Sequence, residues 1–468
     1  MTLFDARRTR CGLLALAATL LALTAPAQTR TLRVVTYNIE ADINGTTTPR
    51  PGLIAPPGSP NNVQAGGVLE GIGEETVGAD GAQPADLLAL QETTGNAVTV
   101  APIVNALNAF YGVAGMYANS SYQATQAGGS TNNAFGNGPN ALVFNTRTVR
   151  LLASVPVDPP GGPDALGAGS GEWREVMRYQ FAPAGVAATT SNVFYLYVSH
   201  YKSGTTSSDL TQRLGEAQII RASETLDLPV DARVLYVGDY NVTSSGEASY
   251  QAILSNIAPN GAPQGGGVDP LNPAGIPKLN WGAFTADTNI LALETESATS
   301  LRYRDDLQLM TTNVFYGVPG GLKYVSGTYH VFGNNGSVGY YGRVNAGTNT
   351  ALNDRLAATG PVFLSAAQLY LDLTNASDHL PVVADYTIPV PAPRITGASL
   401  AGADLTLAVA DGITNAVYTV LTSTNLAAAP AKWTAVASHT ASGGNFTFTV
   451  TNAAGATAPE RFFMLRGK

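Results

Sequence analysis

The sequence predicts an α/β protein built on two β-sheets packed together and covered by helices, followed by a small all-β module. Three observations support this. Apolar runs rich in β-branched and aromatic residues recur along most of the chain, helical patterns fall between some of them, and composition shifts to Ala, Thr, Val and Gly after a Pro-rich stretch at 388–393.

Residues 1–27 carry Arg7, Arg8 and Arg10, then the apolar run Cys11 to Ala18, and end on Ala25-Pro26-Ala27. This is the pattern of a secretory signal peptide cleaved after Ala27, so the mature chain is expected in the periplasm or outside the cell. The apolar run is shorter than the roughly 20 residues that cross a bilayer, so no stable membrane insertion is expected. Cys11 is the sole cysteine and leaves with the leader, so stability must come from the core alone. The formal charge is −8, and removing the leader's three Arg and one Asp leaves −10. No basic stripe marks a nucleic-acid groove. This argues against tight non-specific nucleic-acid binding, but not against phosphate chemistry in which divalent cations supply the positive field.

Strands are expected at Leu32 to Tyr37, Leu87 to Leu90, Ala141 to Phe144, Val193 to Ser199, Arg233 to Val237, Leu307 to Met310 and Pro381 to Tyr386. Helices are expected at Val98 to Phe110 and at Ser207 to Leu226, the latter opened by Ser207-Ser208-Asp209 as caps. Gly-, Pro- and Asn-rich stretches at 44–83, 155–171, 258–280 and 317–361 read as surface insertions. The body is thus expected over 28–387, a stiff linker over 388–393 and a β-sandwich-like module over 394–468, with strands at Asp404 to Val409, Val417 to Leu421, Asn445 to Val450 and Arg461 to Leu465. His439 in that module is expected to be an exposed structural residue.

Five strand ends carry polar groups suited to metal-assisted hydrolysis: Asn38, Gln91-Glu92, His200, Gly238-Asp239-Tyr240-Asn241 and Ser377-Asp378-His379. A strand end is a rigid place for reacting groups. Hard cations such as Mg²⁺ take one or two carboxylates with amide oxygens and water, which suits Glu92 and Asn38. The chain has four histidines, and two of them, His200 and His379, stand at these ends.

In this order, over roughly residues 31–387, the motifs resemble the endonuclease/exonuclease/phosphatase superfamily of metal-dependent phosphoesterases, which includes pancreatic-type deoxyribonuclease and bacterial sphingomyelinase. The resemblance implies a four-layer α/β-sandwich with two mixed β-sheets flanked by helices. It implies Mg²⁺, with Mn²⁺ or Ca²⁺ as substitutes, on Glu92 with Asn38 and Asp378 nearby. His379 would be the general base. Its orienting acid would come from Arg304-Asp305-Asp306, where spacing favours Asp306 and leaves Asp305 as the alternative. Asp239 and Asn241 would hold the water and a phosphate oxygen, and His200 would donate to the phosphate. Arg174 would contact the phosphate, with Arg178 as the competing choice. The nuclease branch pairs its equivalent of His200 with a Glu, but residues 132–145 contain no acid. The expected substrate is a phosphoester, nucleic acid first. A phosphomonoester or phospholipid is the alternative, and a non-catalytic surface-binding protein is the reading from another class. Tyr316, Tyr324, Tyr340 and Tyr341 are candidates for an aromatic hairpin of the lipid-cleaving kind.

Overall fold

The computed structural model describes residues 2–7, 18–22, 28–40, 65–76, 82–93, 99–120, 139–157, 176–255, 266–272, 281, 290–296, 298–353, 364–412, 417–441, 444–453 and 460–467. Arg174 lies outside the described residues. The chain divides into two compact units, one of residues 31–182 and 189–388, the other of residues 1–30, 183–188 and 389–468.

Strands β1 (Thr2–Arg7) and β2 (Ala18–Ala22) precede the long β3 (Gln28–Asn38). Then come α1 (Ala65–Glu74), β4 (Leu87–Gln91), α2 (Ala101–Phe110), β5 (Tyr117–Asn119), β6 (Ala141–Asn145), β7 (Val149–Pro156) and β8 (Met177–Pro183). Next are β9 (Phe194–His200), α3 (Ser207–Asp227), β10 (Val234–Asp239), α4 (Ala248–Leu254), β11 (Gly267–Val268), β12 (Asp306–Thr311) and α5 (Thr312–Tyr316). The larger unit closes with β13 (Lys323–Tyr324), β14 (His330–Val331), α6 (Ala366–Ala376) and β15 (Val382–Val390).

Its strands form two mixed sheets. One has the order β13-β15-β3-β4-β6-β5 with β14 also on β15, and the other has the order β11-β12-β10-β9-β8-β7. The alternation within strands shows why they stack. In β9, Leu196 and Val198 enter the core shared by the two sheets, while Tyr197 faces the opposite way; in β10, Leu235 and Val237 alternate likewise with Val234 and Tyr236. Gln308 on β12 ties the sheets together, donating to Val34 O at 2.9 Å and Val382 O at 2.7 Å.

Both outer faces are covered by helices. Val68, Leu69 and Ile72 of α1, Ile103 and Leu107 of α2, and Leu369 and Leu373 of α6 pack on the first sheet. Ala217 and Ile220 of α3, with Tyr250 and Ile253 of α4, cover the second. Fully burying a large apolar side chain of this kind contributes about 1.5–3 kcal/mol. The result is a four-layer α/β-sandwich with two mixed sheets flanked by helices.

Helix α3 begins at Ser207 as expected, but its cap lies one residue before the expected ones. Thr206 is the N-cap, and Thr206 and Asp209 bond reciprocally to each other's backbone N–H. The 317–361 stretch departs from the surface insertion expected of it: Leu322, Tyr324, Tyr329, Val331, Phe332 and Val344 are buried in the main core. Gly317, Gly320, Gly327 and Gly333 sit at positive φ there and make the reversals that fold these apolar residues inward. Similarly, α1 occupies part of the 44–83 stretch.

The smaller unit is all-β. Strands β16 (Arg394–Ala401), β17 (Asp404–Ala410) and β20 (Phe446–Val450) form one sheet; β18 (Val417–Ser423), β19 (Thr434–Thr440) and β21 (Glu460–Gly467) join β1 and β2 in another. Leu405, Leu407, Tyr418, Val420, Phe446 and Phe463 share its core. Strands β1 and β2 lie within the segment read as a leader and pair antiparallel with each other, β1 also pairing with β21. His439 is half-buried, its ring parallel to that of Phe448 at 5.3 Å, a packing residue rather than a solvated one. Among the described residues, no helix is long and apolar enough to cross a membrane.

Candidate active site

The parallel β3–β4 and β9–β10 pairs and the antiparallel β10–β12 pair carry the polar residues to one end of both sheets. Asn38 on β3 stands in register with Gln91 on β4, and Asp239 on β10 stands in register with both His200 on β9 and Asp306 on β12. Gly238 makes the close approach possible. Its φ is +150°, and a Cβ there would lie 2.0 Å from Ser199 O. Three further residues leave these strand ends in the left-handed region: Glu40 (φ 45°), Glu92 (φ 54°) and Asn241 (φ 48°).

Asp239 is the hub. Its Oδ2 accepts from Asn38 Nδ2 at 3.0 Å and lies 3.3 Å from His200 Nε2 and 3.8 Å from His379 Nε2. Asn38 Nδ2 also donates to Glu92 Oε1 at 3.1 Å, while its Oδ1 accepts from Glu40 N–H at 3.0 Å. Asn38 therefore bridges the two sheets through its amide N–H groups. Glu92 Oε1 lies 3.7 Å from His200 Nε2. Asn241 N–H donates to Asp239 Oδ1, and Asn241 Nδ2 to Tyr201 O.

His379 Nδ1 lies 2.7 Å from Asp306 Oδ2. Of the two acids that the sequence left open, the structure brings Asp306 rather than Asp305 against this ring nitrogen. Thr295 Oγ1 accepts from both Asp305 N–H and Asp306 N–H, and Ser377 Oγ donates to Asn38 O while accepting from His379 N–H. Asp378 N–H donates to Glu40 Oε2, and the Asp378 carboxylate, 38% exposed, lies 3.8 Å from His379 Nε2.

Burial pushes the Asp306 carboxyl up to about 6 although the His379 charge opposes it. For His379, burial alone would lower the imidazole, but Asp306, then Asp239 and Asp378, outweigh it and hold it well above its usual range. Burial, and then Glu296 within hydrogen-bonding reach, raise the Asp305 carboxyl well above the carboxylate range.

Ligand atoms of Glu92, His200 and Asp239 lie within 4.8 Å of one another, as do those of Asp239, Asp306 and His379. Up to four carboxylates, from Glu92, Asp239, Asp306 and Asp378, face two imidazoles, a donor set that fits a hard divalent cation. Glu92 clusters with His200 and Asp239 rather than with Asp378.

Arg178 stands away from this end. Its Nη1 donates to Asp227 Oδ2 at 2.7 Å and Ser223 Oγ at 2.8 Å, pinning β8 to α3. The carboxylate beside His200 comes from the adjacent strand, as Asp239. Near the expected Glu position stands the buried Asn140, whose Nδ2 donates to Val198 O at 3.4 Å. Sequence reasoning missed Glu40, Thr295 and Glu296. Glu40, two residues past Asn38 at a strand end, was open to the same rule that found Glu92, whereas Thr295 and Glu296 carry no local signal.

Fold and site together place carboxylates, imidazoles and amides that could hold a metal ion at the common end of two stacked sheets. Solved structures similar to the chain include ANGEL2, described as a 2′,3′-cyclic phosphatase (14% identity, 77% of this chain and 95% of that one, TM-score 0.40). Another is D. rerio TDP2 complexed with single-strand DNA product (12%, 76% and 98%, 0.39), and a third an endonuclease/exonuclease/phosphatase from Beutenbergia cavernae (14%, 94% and 96%, 0.37). The third carries the name of the family that the sequence motifs resemble. No protein-family model and no curated protein sequence matches it. At these identities and scores the likeness assigns no activity, which rests on the site itself.

Proposed function

We propose that the protein is an exported, divalent-metal-dependent phosphodiesterase that hydrolyses nucleic-acid phosphodiester bonds by in-line attack of an activated water. The observation that carries this reading is the buried His379–Asp306 contact of 2.7 Å, with His379 Nε2 turned to within 3.8 Å of Asp239. Asp306 fixes the proton on Nδ1 and so presents Nε2 as the base. Asp239 and Asn241 position the water, and His200 donates to the phosphate oxygens as charge builds on them. Glu92 leads the metal set with Asp239, supported by Asn38. A cation among these carboxylates, Mg²⁺ or in its place Mn²⁺ or Ca²⁺, would supply positive charge to the phosphate.

The test is hydrolysis of plasmid DNA, RNA, bis-p-nitrophenyl phosphate, p-nitrophenyl phosphate and sphingomyelin by the purified protein, with Mg²⁺ or EDTA. Glu92→Ala and His379→Ala serve as controls whose fold is checked by circular dichroism. Metal-dependent nucleic-acid cleavage lost in both variants is expected. Turnover confined to a monoester or to sphingomyelin would move the protein to another branch, and wild-type rates in both variants would refute the site. Export is part of the proposal, and the mature secreted chain is expected to begin at Gln28 on N-terminal sequencing. The β-module carries none of the site residues and is proposed as a spacer or surface-attachment unit.

A further inference from the structure

The polar end of the sheets continues past His379 into a ledge that the hydrolytic mechanism leaves unused. Glu296 forms β-bridges with both His379 and Tyr303. Residues directly opposite in such pairs point to the same face. Neighbouring strands are about 4.8 Å apart, so Tyr303 stands roughly 10 Å from His379, a span that a nucleic-acid strand covers in one to three nucleotides. Burial raises the Tyr303 hydroxyl above its usual range, with Arg302 opposing and Glu296, Asp305 and Tyr341 adding to it.

The outer loop is pinned to this ledge: Tyr341 N–H donates to Leu301 O at 2.8 Å, and Leu301 N–H to Gly342 O at 2.9 Å. Tyr341 is 53% exposed and held at φ 58°, a conformation an aromatic residue rarely adopts. Its ring leans on Tyr340, with centroids 4.3 Å apart. The Arg302 guanidinium lies over the Tyr303 ring, 4.9 Å from its centroid. Among the described residues, Arg302 makes no ion pair, and its Nε has no hydrogen-bond partner. An unpaired arginine beside a surplus of carboxylates is a cation reserved for an anion that arrives from outside.

We infer that Arg302, Tyr303 and Tyr341 form a subsite for the nucleotide flanking the scissile phosphate, Arg302 holding the neighbouring phosphate and Tyr341 stacking on a base. This rests on the phosphodiesterase reading and sharpens it to a single-stranded substrate, whose bases are free to stack. Of the four tyrosines expected to form an aromatic hairpin, Tyr324 is buried, Tyr316 is 55% exposed with its ring against Phe315, and Tyr340 backs Tyr341, so Tyr341 is the exposed ring beside Arg302 and Tyr303.

The experiment compares a short single-stranded oligodeoxynucleotide, its abasic counterpart and bis-p-nitrophenyl phosphate as substrates of the full chain, alongside Tyr341→Ala, Tyr341→Phe and Arg302→Ala. Tyr341→Ala is expected to lower kcat/KM for the oligonucleotide relative to the small diester about tenfold, through KM, with Tyr341→Phe restoring it. On the abasic strand the Tyr341→Ala effect should vanish, while Arg302→Ala should weaken both strands and flatten their salt dependence. Binding of a labelled oligonucleotide in EDTA, read by anisotropy, probes the ledge without turnover. Loss of small-diester hydrolysis in the unaltered protein would remove the phosphodiesterase reading while this binding still judges the subsite. Unchanged ratios and unchanged binding in both alanine variants would overturn the subsite. So would a Tyr341→Ala defect confined to sphingomyelin vesicles.

Discussion

Replacing Asp306 with Asn tests the dyad with little change of shape. The carboxylate that holds His379 Nδ1 at 2.7 Å becomes an amide whose NH₂ can turn toward the ring and drive its proton onto Nε2, the atom that must accept the water's proton. A positioned base contributes about 10²–10⁴ in rate, or roughly 3–5 kcal/mol at about 1.4 kcal/mol per decade. Because an Asn can still accept through Oδ1, the expected loss in kcat/KM for bis-p-nitrophenyl phosphate is about 10²–10³ at saturating Mg²⁺. Asp306 is the foremost of the charges that raise His379, so its removal lowers the imidazole's affinity for a proton. The base is active unprotonated, so the acidic limb of the pH–rate profile should move to lower pH. Calorimetric Mg²⁺ affinity should hold, since Glu92 and Asp239 are untouched. A loss below about threefold with an unmoved limb would refute the base assignment. Loss of Mg²⁺ binding would instead make Asp306 a ligand within its cluster with Asp239 and His379.

Two other perturbations follow from single contacts. Gly238→Ala places a methyl group 2.0 Å from Ser199 O in a backbone conformation that disfavours side chains, so a loss of about 4 kcal/mol or more in urea unfolding is expected, with activity lost alongside. Burial, Glu74 and Asp372 push the Glu70 carboxyl on α1 from 4.5 up to about 8, so the folded state keeps a proton that the unfolded chain gives up. Stability should be complete below about 4.5 and fall by up to about 1.4 kcal/mol per unit as pH rises toward about 8; Glu70→Gln should flatten that slope in urea titrations at pH 5, 7 and 9.

The parts of the fold that follow from alternation were legible. All seven strands expected in the body exist, because a buried strand in a mixed sheet reads as a short apolar run whatever its partner. The site was legible where chemistry coincided with a strand end, as at Glu92, His200, Asp239 and His379. Thr295 and Glu296 were not, since their role comes from a non-local bridge to His379 and from hydrogen bonds to a strand ten residues on. The 317–353 segment misled because its glycines were read as solvent-facing turns, whereas they turn Tyr329 and Phe332 into the core. Arg178 misled because an arginine's spacing carries no information on which way it faces across a sheet.

Glu40, Glu92 and Asn241 share one unfavourable backbone state at the ends of three strands. Each left-handed non-glycine residue costs roughly 1–2 kcal/mol, which together is an appreciable share of the 5–15 kcal/mol that holds a typical domain together. Laboratory selection for heat resistance would therefore find glycine at these three positions an easy gain, and would lose a carboxylate or amide of the proposed site each time it took one. Thermal melting and turnover should diverge most sharply at 40, 92 and 241, and a heat-selected lineage should grow hardier as it grows inert.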